Sequence, residues 1–488
     1  MSAETALLGA LAAPVLGALL AALLARWPLW RDGAYIGAAC ALALCAGLLV
    51  NAAAHGRTAR VALAQPLPNV DLAFALEPLG ALMAAVIAGL GVFHAAHTAA
   101  MVRATHEPQP ARLMALIALA SAAAVAAALS ANLFTFFVAY QALTLATFPL
   151  IAHGAGEEAR RAARIYLATL LAAATGLFLP AMVWTYAIAG ALEFRPGGVL
   201  AGRVDAMTAN ILLVLFVLGL AKAAVPPMHR WLSASSRAPH AALVSIQAVA
   251  VLPAGGVGLI KIVAYVFGPA LHQAALASRG LLILVGVSMC VAALIALSKQ
   301  DMRERLAYSC MAQSLAVAAG ALLATPIGLV AAALQIVALS CAAATLTMAA
   351  GTVFAASGRT NAVDYTGLGR VMPWTFASFA LASASMIGMP PFSGAWAKLW
   401  LIVAAADVGL VAVAVLAGAS AVLTFAHLGP LAANALVGRA PTDPFKHPDG
   451  ASIMLVAPVF LSALATLWLL VLANPIAQFL SPLWTPSQ

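Results

Sequence analysis

Charge is what this chain lacks most: Asp, Glu, Lys and Arg make up 8% of its 488 residues, against 64% that are hydrophobic. A soluble domain needs roughly a quarter of its residues charged to coat its surface. Lipid-facing surface needs none, and with a mean hydropathy of +1.03 the shortage means a bilayer rather than disorder. Cysteine is sparse as well. Cys40, Cys45, Cys290, Cys310 and Cys341 fall in apolar runs, without the spacing of a metal site or an extracellular disulfide framework, and are read as small buried apolar side chains. There is no phosphate-binding glycine-rich loop, CxxC pair or nucleophile elbow, and the longest loops are too short for a redox domain. No catalytic residue, cofactor or metal is expected.

What the chain does have is long apolar runs. A spanning helix needs ~20 mostly apolar residues, and about fourteen such runs are readable. They lie near 4–25, 34–54, 72–101, 111–129, 131–152, 163–190, 208–228, 240–268, 280–298, 304–324, 326–356, 372–405, 408–430 and 452–474. The fold class is an all-α polytopic membrane protein. The first run is too long for a signal-peptide core and follows an acid rather than a basic stretch, so it reads as a span. Two spans hold their own breakers: Pro253 with a Gly pair in span 8, and Pro390, Pro391 and Gly394 in span 12. Interruptions survive in a membrane only where protein or a wet cavity satisfies the freed backbone groups, so both are expected to be broken helices. Plain proline kinks are the alternative.

Cytoplasmic loops carry the excess of Lys and Arg. Loops after odd-numbered spans hold sixteen of them, Arg439 and Lys446 included, against five after even-numbered spans, namely Arg57, Arg60, Arg195, Arg203 and Arg279. The odd loops are therefore expected to be cytoplasmic and both termini extracytoplasmic. The formal charge of +9 reflects this bias, and no nucleic-acid partner is implied.

The three remaining cations, Lys222, Lys261 and Lys398, sit inside spans. A lysine at the centre of a membrane helix costs at least ~2.5–3.5 kcal/mol and by default marks a functional site. Lysine, unlike arginine, gives up its proton when buried. Glu77, near the start of span 3, is the one plausible intramembrane acid and reads as distant from all three. Lys261, eight residues before Pro269, is also placed to snorkel toward an interface.

Four stretches, "ANLFTFFVAYQALTLATFPLIAHGAGEEARRAARIYL", "GLAKAAVPPMHRWL", "ALIALSKQDMRERLAYSCMAQSL" and "SMIGMPPFSGAWAKLW", together resemble the proton-conducting antiporter-like subunits. That family comprises the large membrane subunits of respiratory complex I, of Mrp-type sodium/proton antiporters and of membrane-bound hydrogenases. The similarity is nearest in style to the Mrp D-like branch and runs in order over residues 70 to 430. It implies two inverted five-helix repeats, spans 4–8 and 9–13, and hence units at 1–110, 111–268, 280–430 and 452–474. It also implies a hydrated axis of ionisable residues through the membrane centre.

Carried over by position, Lys222 matches the span 7 lysine of that axis, Lys398 the span 12 residue, and His229 a histidine that follows the span 7 proline. The other positions depart. Gln141 stands where a glutamate is expected, Gln247 and Pro253 replace span 8 ionisable residues, and Gln335, Leu339 and Ala343 replace those of span 11. An amide hydrogen-bonds but does not carry a proton near neutral pH, and Leu, Ala and Pro relay none. Lys222 is then expected to lack its carboxylate counter-ion.

Two motifs outside the axis are weak. "HGAGEEARRAAR" reads as a solvated helix start with i,i+4 pairs such as Glu157–Arg161, and His94 and His97 read as interfacial rather than metal-ligating. The expectation is an antiporter-like subunit of a hetero-oligomeric complex in the bacterial inner membrane. Its partners are other antiporter-like and small membrane subunits, its proton path is degenerate, and its role is largely structural or modified transport. Two rivals stay open: active H+ or Na+ translocation through Lys222, Lys261 and Lys398 with water, including inorganic carbon uptake with a soluble partner, and a stand-alone solute carrier or membrane enzyme.

Overall fold

The computed structural model describes residues 2–68, 70–154, 156–439 and 452–483; Lys446 lies outside the described residues. Helices α1 (Ala3–Leu23) and α2 (Pro28–Ala54) precede a hairpin of β1 (Arg60–Leu67) and β2 (Val70–Ala75), followed by α3 (Pro78–Ala104), α4 (Pro110–Ala128) and α5 (Leu133–Ile151). The next helix, α6 (Glu157–Ala173), continues through a π turn into α7 (Leu179–Ala189). Then come α8 (Ala206–Gly219), α9 (Arg230–Ser235), α10 (His240–Val244), α11 (Val251–Lys261), α12 (Pro269–Ala274), α13 (Leu276–Ser298), α14 (Met302–Leu322) and α15 (Pro326–Ser357). The last are α16 (Pro373–Ile387), α17 (Ser393–Asp407), α18 (Val411–Val437), α19 (Ile453–Ala465) and α20 (Leu469–Phe479).

Local chemistry sets these limits. Proline opens α2, α3, α4, α15 and α16, where its missing N–H is one the helix leaves unbonded anyway. Side chains of Ser2, Asn132, Asp205, Asp301 and Thr325 accept a backbone N–H at the starts of α1, α5, α8, α14 and α15. Burial then sorts the helices. The span His240–Phe267 is 100% enclosed by the rest of the protein and α15 94%, whereas α2 is 28% enclosed, so spans 8 and 11 form the axis and the N-terminal pair lies at the periphery.

Among the described residues, ten helices are long and apolar enough to cross a membrane, or eleven if the C-terminal pair, bent by 60° between α19 and α20, counts as one. The other expected spans are helical but shorter, broken or more polar. Four expectations need correction. The chain is not all-α, because β1 and β2 pair antiparallel and take up residues expected in span 3, whose helix begins only at Pro78. Span 7 stops at Gly219, and Lys222 lies in a 3-10 turn ended by Ala224 at φ 59°. The break in span 8 is at Ala250, after a π turn over Ser245–Val249, not at Pro253. That proline sits in the first turn of α11, where no intrahelical N–H is needed. Finally, Cys40 is exposed while Cys45, Cys310 and Cys341 are buried. The break in span 12 is where it was expected, between Ile387 and Ser393.

The two interrupted helices of spans 7 and 8 meet at Gly255. A Cβ there would lie 2.2 Å from Ala223 N and 2.4 Å from Lys222 C, both backbone atoms that cannot swing aside. Gly255→Val is expected to destabilise the protein by at least ~1–3 kcal/mol through overpacking. Thermal melts in detergent test this, with Gly91→Ala, where the added carbon meets nothing within 4 Å, expected to melt like the parent.

Candidate functional site

Lys222 is fully buried and anchored to one turn of α5. Its Nζ donates to Tyr140 O at 2.8 Å and to Thr144 Oγ1 at 2.6 Å, and sits 3.3 Å from the centre of the Tyr140 ring. The Lys222 backbone N–H donates to the Tyr140 hydroxyl at 2.9 Å. The turn itself is held by Trp231 Nε1 donating to Ala221 O at 2.7 Å and Ser314 Oγ donating to Ala223 O at 2.9 Å. Gln141, next to Tyr140, does not reach the ammonium, and its Oε1 has no hydrogen-bond partner. No carboxylate pairs with Lys222 among the described residues.

Lys261 corrects the sequence reading, since it neither snorkels nor lacks an acid. It is 1% exposed and forms an ion pair with the Glu77 carboxylate, the group that had looked distant. Its Nζ also donates to Ser130 O at 3.0 Å and lies 4.8 Å from the centre of the Phe194 ring. Tyr265 hydrogen-bonds to Glu77 as well. The reason is topological: Glu77 caps α3 beside the last turn of α11. The surrounding backbone is stitched by Asn132 Nδ2 donating to Asp71 O at 2.7 Å and Leu133 N to Leu192 O at 2.9 Å.

Lys398 closes the gap in span 12. Its Nζ donates to Met386 O at 2.7 Å and Ile387 O at 2.8 Å, the last carbonyls of α16. A cation there satisfies freed carbonyls and complements the helix dipole. Gly394 is required at this break, because its Cβ would lie 1.8 Å from Ser385 O. On α18, which packs against α17, buried His427 donates from Nδ1 to Leu423 O at 2.9 Å, so Nε2 accepts from Ser309 Oγ at 3.1 Å. Its signal in the sequence was a lone histidine inside an apolar run.

The three lysines thus have separate sets of partners, and amides are buried on spans 8, 10 and 11. Gln335 Nε2 donates to Gln313 Oε1 at 3.0 Å, a partner on α14 that the sequence did not single out. Gln335 Oε1 and both side-chain amide atoms of Gln247 have no protein partner. Leu339 and Ala343 are buried on α15. Pro253 lines a small apolar gap with Met83, Ala124 and Ile336, facing α3 and α4. On the arginine-rich side, His229 lines a cavity of ≈ 420 Å³ with Glu158, Arg161 and Glu304. Burial and the neighbouring Arg230 hold its imidazole below the ordinary value, so it is neutral at neutral pH. Close by, Glu157 pairs with Arg160 and Arg164, not with Arg161, and these exposed contacts contribute little. His94 and His97 are not interfacial but fully buried against α10 and α15. No metal-holding cluster occurs among the described residues.

Removing one partner of a buried ion pair costs about 3–5 kcal/mol because the other charge is stranded. Glu77→Gln and Lys261→Met are each expected to lower the melting temperature of the purified protein. Glu77 keeps some solvent contact at 17% side-chain exposure, so the loss of Lys261, which strands it, falls toward the lower figure. The double variant is expected to melt above Lys261→Met, because no charge is then left unpaired.

Comparison with known proteins gives the family. Residues 130–424 match the NADH:quinone oxidoreductase/Mrp antiporter transmembrane family. The chain is 27% identical over 436 residues to NADH-quinone oxidoreductase subunit N of Desulforudis audaxviator, covering 88% of this chain and 86% of that one. It is 24% identical over 279 residues to the D-type subunit of the Na(+)/H(+) antiporter of Alkalihalophilus pseudofirmus, covering 57% and 56%. A chain in the Mrp complex structure from Dietzia sp. DQ12-45-1b superposes with a TM-score of 0.88 at 23% identity, over 100% of this chain and 98% of that one. The resemblance read from the four motifs is borne out, and the chain belongs to the antiporter-like membrane proteins of the NADH:quinone oxidoreductase/Mrp antiporter family.

Proposed function

We propose that this protein is one antiporter-like subunit of a multisubunit ion-translocating complex and that its own charged path is interrupted, giving it a modified transport role. The observation that carries this reading is the separation of Lys222, Lys261 and Lys398, each satisfied by its own partners, while the buried polar groups Gln247, Gln335 and Gln313 are amides and not titratable groups. Amides pass hydrogen bonds and hold water but do not take up and release a proton near neutral pH. Gln141 in place of a carboxylate leaves Lys222 without the partner that biases a neighbouring charge. On this reading the subunit is no enzyme by itself, and chemistry or a second ion gradient enters through its partners.

The architecture proposed with it has fourteen crossings. Helices in 1–110 lead into two inverted five-helix repeats, 111–268 and 280–430, with a last helix in 452–474. A π turn ending before Ala250 in span 8 and a gap after Ile387 in span 12, one irregularity in each repeat, support that division. The arginine-rich loops face the cytoplasm and both termini the other side of a bacterial inner membrane, supported by the loop charge asymmetry. Other antiporter-like subunits and small membrane subunits are the partners.

Gentle solubilisation of native membranes and identification of what co-purifies is the direct test. Recovery with other antiporter-like subunits is expected; recovery alone as a monomer or homo-oligomer rejects the assembly. The interrupted path has its own test in Gln141→Glu, which restores a carboxylate one residue from the Lys222 anchor. Assembly should be unchanged and proton movement through the reconstituted complex should rise. A flux equal to that of the parent would count against the interruption.

A further inference from the structure

On the arginine-rich side, a cavity of ≈ 290 Å³ is bounded by Glu107, Arg237, Arg303 and Phe354, with His240 in its wall. His240 opens α10 and stacks on Phe354, with ring centres 4.5 Å apart. Behind it stands His97. A Cβ built on Gly351 would lie 3.3 Å from His240 Cβ and 3.4 Å from His97 Cε1, so the two histidines meet across a residue of α15 that has no side chain to part them. His94, nearly one turn earlier on α3, donates from Nε2 to Ala241 O at 2.7 Å and pins the first turn of α10 in place.

The hydrogen bonds fix which nitrogen of His97 is free. Thr352 Oγ1 donates to Met348 O at 3.0 Å, so it accepts from His97 Nε2–H at 3.1 Å. Nδ1 is then a bare acceptor, fully buried and without a protein partner. Inward from it lies the π turn Ser245–Val249, packed against α3 and α15. There Ser245 Oγ and both amide atoms of Gln247 are also unpartnered at full burial. Buried polar atoms almost always find partners, and a run of exceptions leading from a cavity to a helix break is a line along which water and protons are accommodated. Neutral imidazole takes a proton on one nitrogen and releases it again, which amides do not.

We propose that His240 and His97, held in register by His94, form a proton-uptake path from this cavity to the break in span 8, independent of the three lysines. A proton from cavity water binds His240 and passes through a bridging water to His97 Nδ1. The imidazolium then releases it from Nδ1 to water held by Ser245 and Gln247, leaving His97 neutral with its Nε2–H bond to Thr352 intact. Only N–H and O–H bonds form and break. Glu107, hydrogen-bonded to His153 at 3.0 Å, Arg237 and the Arg303–Asp301 pair are the charged groups around the mouth. The proposal rests on the modified-transport reading above.

The test uses the intact complex reconstituted in vesicles with an entrapped pH-sensitive dye. His97→Phe is expected to cut proton movement at least ~10-fold with subunit recovery unchanged. His240→Ala, at the cavity wall, should do the same, and millimolar imidazole should restore most of the loss, which a purely structural defect would not allow. Parental rates in both variants, failure of imidazole to rescue His240→Ala, or no proton movement in the unmodified complex overturns the proposal. A chain recovered without partners that still shows the histidine-dependent flux keeps it and overturns the assembly instead.

Discussion

Hydrocarbon offers no hydrogen bonds, and the interior of this protein is organised around that constraint. Every interrupted helix frees carbonyls and N–H groups that protein or enclosed water has to satisfy. The three intramembrane lysines each answer it by donating to main-chain oxygens: Lys222 to Tyr140, Lys261 to Ser130, Lys398 to Met386 and Ile387. An ammonium group carries three donors and no acceptor, which suits a place where carbonyls converge. The lysines thus each hold main-chain oxygens in place, and any role in moving ions has to be compatible with those bonds breaking.

The pockets differ in what they ask of the charge. Lys261 has a carboxylate, a tyrosine and a main-chain oxygen around it, an arrangement that holds the pair together. Lys398 faces the negative end of a helix and Lys222 only neutral oxygens and a ring. Such inequality suits three separate sites better than three equivalent steps of a single ladder.

Much of this was legible in the sequence because it depends on local chemistry. Runs of apolar residues marked the helices, proline and glycine marked the broken ones, and loop cations marked one face. What escaped depends on pairing. Glu77 and Lys261 are far apart along the chain, and nothing in either neighbourhood says that the start of α3 meets the end of α11. The hairpin escaped because its strands are short and sit beside an apolar run of the helical kind. The Gln335–Gln313 bond and the burial of His94 and His97 depend on which helix covers which face, and nearly uniform hydrophobicity leaves that open. Gly351 is part of the last case, since a Cβ there would crowd His240 Cβ and the His97 ring at 3.3 and 3.4 Å.

The longest helix among the described residues is uninterrupted. At 32 residues α15 runs about 48 Å through the middle of the molecule, while span 8 beside it carries a π turn and span 12 is broken. A stiff rod among jointed neighbours acts mechanically as an axle. It transmits an axial push or a rotation from one membrane face to the other without absorbing it, and leaves bending to the segments at Ala250 and Gly388. Conformational work done on this protein by an adjoining body at either face would thus arrive at the other as rigid displacement of α15, with the joints setting how far it travels.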